Sequence, residues 1–97
     1  MTAVRDELER ELQRVVDRLG SMPLTRVPGC EPQVYAAAHA IVDLTGERSS
    51  ADLPHLQPHA LGAMLAVVGH DYLTLPENDE RDRLVLDQLI ALRRALP

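Results

Sequence analysis

Leu8, Leu12, Val15 and Leu19 recur at spacings of four, three and four residues, with Val4 and Val16 beside them and mostly charged side chains between. That is the period of an α-helix with one buried stripe, and it predicts a first helix over about residues 3–19. Thr2 suits its N-cap, and Asp6 and Glu7 suit the positive end of its dipole. Gly20 suits the left-handed position that would end it. A second stripe, Val34, Ala37, Ala38, Ile41 and Leu44, predicts a helix over about 32–45. Pro32 fits its first turn, where no N–H is needed, and Gly46 closes it. Tyr35, His39 and Val42 flank that stripe.

The third segment, about 58–72, starts at Pro58. Leu61, Met64, Leu65, Val68 and Tyr72 fall on one side, and Gly62, Ala66 and Gly69 on another. It is apolar almost all round, which predicts the central helix. Gly62 and Gly69 each cost about 1 kcal/mol of helix propensity relative to alanine, and close approach by a neighbouring helix would offset that. The last helix, about 76–95, carries Val85, Leu89, Leu92 and Leu96 on one stripe and Leu86 and Ile90 beside it. Thr74-x-x-Glu77 has capping-box spacing, with Asp79 as the competing cap. Arg93 and Arg94 sit at the negative end.

No segment shows strand alternation and no repeat is present, so the pattern reads as one all-α domain, a compact four-helix bundle. The connections over about 20–31 and 46–57 are long for a plain up-and-down bundle, which admits an orthogonal or irregular arrangement.

Composition narrows the chemistry. The core must be built from 16 Leu, 11 Ala and 9 Val, because only Tyr35 and Tyr72 are aromatic. All ten basic residues are arginine. Without lysine there is no P-loop, no Schiff-base chemistry and no lysine-tethered cofactor, and no cofactor is expected. A lone Cys30 offers neither an internal disulfide nor a thiolate zinc site of its own. It lies near a helix start, where thiol pKa values fall, but reads as a small packing residue. The N-terminal residues lack a basic start followed by an apolar run, and the longest apolar stretch, Ala60–Gly69, is too short to span a bilayer. No membrane is expected, and a cytoplasmic setting is.

The net charge is −5. Residues 49–80 contain Asp52, Asp71, Glu77, Asp79 and Glu80 and no arginine, so an acidic third of the chain repels phosphates and argues against nucleic acid. There His55, His59 and His70 are the only side chains that can become cationic, which makes the segment the first place to seek pH-dependent or charge-based binding.

Candidate ligands for a metal are His39, His59, His70 and Asp71. The signal is thin: Pro58 separates His55 from His59, and His59 and His70 stand roughly 16 Å apart along a helix. The acid pairs Glu7/Glu11 and Asp79/Glu80 read as solvated faces. The remaining feature is apolar excess. Leu86 and Ile90, with the small face Gly62, Ala66 and Gly69, are the interface candidates for a protein partner or a homodimer. The sequence thus points to a helical interaction or self-association module without catalysis. The alternative is a metal- or small-ligand-dependent enzyme with a His/Asp site beside helix 3.

Overall fold

A computed structural model describes residues 3–23, 27–46 and 60–96. They form four helices, α1 (Ala3–Ser21), α2 (Val27–Thr45), α3 (Leu61–Leu73) and α4 (Asp79–Ala95), and no strand. The expected roles of Thr2 as a cap, of Pro58 as a helix start, and of His55 and His59 fall outside the described residues.

The principal contacts close a ring: α1 packs on α4, α4 on α2, α2 on α3 and α3 on α1, with α1 and α4 in most extensive contact. This is an all-α four-helix bundle. Leu8, Leu12, Val15 and Leu19 of α1 meet Val85, Leu86, Leu89 and Leu92 of α4 in one core. Val34, Ala37, Ala38, Ile41 and Val42 close it from α2, and Leu61, Met64, Leu65, Val68 and Tyr72 from α3. Although α3 is apolar nearly all round, Ala63, Val67 and His70 remain exposed on its outer side.

Three helix ends differ from the sequence reading. Gly20 is not left-handed: α1 runs on to Ser21, and among the described residues only Gly46 has a positive φ, 77°. The end of α1 is closed instead by Met22 N–H donating to the Leu19 carbonyl and by the Ser21 hydroxyl donating to the Arg18 carbonyl, while Met22 turns into the core. The second helix starts at Val27, five residues before Pro32. Pro28, at the second position of the helix, occupies a first-turn site that needs no N–H. Pro32 lies a turn later and forfeits one hydrogen bond. The last helix begins at Asp79, capped by Asn78, whose Oδ1 accepts from the Arg81 N–H at 3.0 Å. Neither Thr74 nor Asp79 is the cap. The Thr74 hydroxyl donates instead to the Asp71 carbonyl at 2.6 Å.

The two glycines of α3 face α1 at different depths. A Cβ on Gly69 would stand 2.5 Å from Leu12 Cδ2, inside any tolerable contact. A Cβ on Gly62 would meet Leu19 Cβ at 3.4 Å and the Val16 carbonyl at 3.5 Å, which is ordinary packing. The two positions therefore respond to alanine with opposite signs. Gly69→Ala is expected to lose about 1–3 kcal/mol by overpacking, and less in a Leu12→Ala background. Gly62→Ala is expected to gain up to about 1 kcal/mol. Urea unfolding of wild type and these variants checks both.

Candidate functional site

The charged centre of the molecule is buried, and it joins three elements. Arg5, one turn before Leu8, continues the buried stripe of α1 and is 5% exposed. Asp82, one turn before Val85, continues the buried stripe of α4 and is fully buried. Their side chains meet in a two-pronged pair: Arg5 Nε donates to Oδ2 at 3.0 Å and Nη2 to Oδ1 at 2.9 Å. The other N–H groups of the guanidinium donate to the carbonyls of Leu73, Leu75 and Pro76, each at 3.3 Å. These five bonds use all five donors of an arginine. They also bind the turn between α3 and α4 to the start of α1.

Tyr72, the last core residue of α3, completes the cluster. Its hydroxyl donates to Asp82 Oδ1 at 2.5 Å and accepts from Arg81 Nε at 3.3 Å. The guanidinium carbons of Arg5 and Arg81 both stand 5.6 Å from the Tyr72 ring centroid. Burial raises the Tyr72 pKa, and its bond to Asp82 adds to that. For Asp82, burial pushes upward too. Its hydrogen bonds from Arg5 and Tyr72, the Arg5 charge and a backbone bond from Asn78 outweigh this and hold it below the usual aspartate range. Asp82 and Tyr72 are fully enclosed and the Arg5 donors are all taken, so the cluster ties three helix ends together, with the half-buried Arg81 at its outer edge.

A second ion pair links the middle of α1 to the last turn of α4. Glu11 is buried, and it accepts from Arg93 Nε, with Arg14 Nη1 3.7 Å away. Glu11 is thus not the solvated carboxylate its position suggested. A cleft of about 280 Å³ lies beside this pair, walled by Glu7, Arg10, Glu11 and Arg14 and floored by Leu86 and Ile90.

On the opposite flank of α4 a shallow groove of about 190 Å³ runs along α2, lined by Gln33, Ala36, Ala37, Gln88, Ala91, Leu92 and Ala95. None of these side chains is charged. Leu84, one turn before Gln88 on the same line, is 49% exposed.

The candidates from sequence are dispersed. His39 is half-buried on α2, its ring 6.4 Å from that of Tyr35, and His70 is exposed near the end of α3. Among the described residues no three His, Cys, Asp or Glu side chains are placed to hold a metal ion, and His59 lies outside them. Cys30 is buried, its thiol 3.8 Å from the Met22 sulfur and raised in pKa by that burial. Leu86 is 2% exposed, so it belongs to the core, and Gly62 and Gly69 turn toward α1. Ala66 and Ile90 are half-buried. No family model, curated protein or solved structure matches this chain.

The buried pair sets an acid limb of stability. Because the folded Asp82 pKa is depressed, its contribution is present above the ordinary aspartate pKa of about 4 and is lost as pH falls through the lower folded value. Asp82→Asn leaves the Arg5 charge buried without a counterion and is expected to cost about 3–5 kcal/mol at neutral pH. It also flattens the slope of stability against pH below about pH 4. Arg5→Met with Asp82→Leu recovers most of the loss, since two apolar groups replace two ions. Denaturant unfolding of the three chains across acidic and neutral pH checks all of this. A fully stable Asp82→Asn chain contradicts it.

Proposed function

We propose that this chain is a helical protein–protein interaction module without catalysis, and that the face it offers is the uncharged strip between α2 and α4. The strip itself carries the reading. Charged residues make up 26% of the chain, yet the seven residues lining this groove include none, and an exposed Leu84 extends it. The buried centres of protein interfaces are depleted in charge in this way. Alanines at 36, 91 and 95 keep the walls low, so the backbone of a partner helix can come close.

The other surfaces support the reading by contrast. The cleft between α1 and α4 is walled by four charged side chains, and one of them, Glu11, is already engaged by Arg93. A net charge of −5 disfavours nucleic acid as the partner. Among the described residues no helix is long and apolar enough to cross a membrane. A cytoplasmic setting suits a chain whose one cysteine is a buried thiol.

Photo-crosslinking in cells tests the proposal. A photoreactive residue at Ala36 or at Ala91 is expected to yield discrete adducts with one and the same protein, lost on Ala95→Arg. The same residue at the exposed Gln13 of α1 is expected to yield none. Equal yields at all three positions overturn the reading.

A further inference from the structure

We infer that the occupant of the α2–α4 strip is a second copy of this chain, with the two α4 helices packed antiparallel about a two-fold axis between Gln88 and Ala91. The inference rests on the interaction reading above and specifies its partner.

Its first support is shape. Leu84, Gln88, Ala91 and Ala95 form the outer stripe of α4, at spacings of four, three and four, and all four are exposed. The large side chains stand at the N-terminal end and the small ones at the C-terminal end. An antiparallel copy sets Leu84 over the partner's Ala95 and Gln88 over the partner's Ala91. By symmetry the other two layers repeat these. Every layer then joins a large residue to a small one. A parallel copy would place Leu84 on Leu84 and alanine on alanine, crowding one end and leaving the other empty.

The second support is charge. Asp87 and Arg94 are both exposed and lie seven residues apart on one line of α4, each just before a stripe residue. In an antiparallel helix pair these flanking positions face each other across the seam. Asp87 therefore meets the partner's Arg94, and Arg94 the partner's Asp87, giving two opposite-charge contacts from one sequence. A two-fold interface must be self-complementary in this sense. The parallel arrangement brings neither pair together.

The stripe spans twelve residues, about 16 Å of helix, with only the low walls of α2 added beside it. An interface of this length belongs at the small end of the known range, so the dimer is weak and concentration-dependent.

Sedimentation equilibrium on two complementary single variants tests the geometry. Asp87→Arg alone opposes like charges twice, and so does Arg94→Asp alone. Each is expected to raise the dimer dissociation constant about tenfold or more. Mixed in equal amounts, the two variants regain both opposite-charge contacts. The guanidinium introduced at position 87 of one chain faces the carboxylate introduced at position 94 of the other. The unchanged Arg94 of the first then faces the unchanged Asp87 of the second. The mixture is expected to return to within about threefold of wild type. Ala91→Arg, at an exposed position beside the axis, is expected to abolish the dimer with its thermal unfolding unchanged.

A wild-type chain that stays monomeric up to about 500 μM overturns the second copy as occupant. A mixture that associates no better than either variant overturns it too. The interaction reading is judged separately by the adducts at Ala36 and Ala91. A heavier partner there sustains that reading without the dimer, and equal yields at Gln13 remove it.

Discussion

The buried pair between Arg5 and Asp82 is the constraint on which the arrangement of this bundle depends. Two ions withdrawn from water are stable together only if their remaining hydrogen-bonding capacity is met. Here that capacity is met by the backbone of the turn between α3 and α4, through the carbonyls of Leu73, Leu75 and Pro76. The start of α1, the end of α3 and the start of α4 are therefore held by one guanidinium. An aliphatic core of Leu, Val and Ala tolerates sliding by a turn, because one branched side chain replaces another at modest cost. A guanidinium with five assigned acceptors does not. Shifting α1 by one turn against α4 would strand a buried charge, so the pair sets the register that the apolar stripes leave loose.

Tyr72 shows how packing and charge combine. It is the only fully buried aromatic among the described residues, and it sits at the last core position of α3. Its ring lies among two guanidinium groups while its hydroxyl bridges Arg81 and Asp82. Close approach of α3 to α1 delivers it there, and that approach runs over Gly69, where Leu12 occupies the space a Cβ would need. The helix propensity lost at Gly69 is thus offset in tertiary structure, by a contact that draws α3 onto the helix bearing Arg5.

How much of this was legible in the sequence divides along physical lines. Helix period is local, so the four stripes and the all-α class could be read directly. Helix ends depend on which of several competent side chains captures an N–H, and here Asn78 prevailed over Thr74 and Asp79. The buried pair joins positions 77 residues apart, which no local pattern reports. A signal existed nonetheless. Arg5 extends the stripe of Leu8, Leu12, Val15 and Leu19 by one turn, and Asp82 does the same for Val85, Leu89 and Leu92. Opposite charges heading two buried stripes announce a partner for each other. Leu86 looks surplus only if the covering stripe on α1 is narrow, whereas α1 reaches it and leaves it 2% exposed.

The faces of α4 differ in what covers them. One face, led by Asp82, points to the core, and on a second α1 buries Leu86 while Ile90 stays half-buried at the floor of the cleft. The third, Leu84 through Ala95, meets only the low wall of α2. A solvated helix face ordinarily carries charge at most positions. This one carries none on its stripe and keeps Asp87 and Arg94 at its edge, in an order that reads as its own complement when reversed. Among the described residues two ion pairs, Arg5 with Asp82 and Arg93 with Glu11, tie α4 to α1, on the flank of α4 away from the groove along α2. Among the described residues nothing covers the uncharged α2–α4 strip, and that is the contact the proposed partner helix would supply.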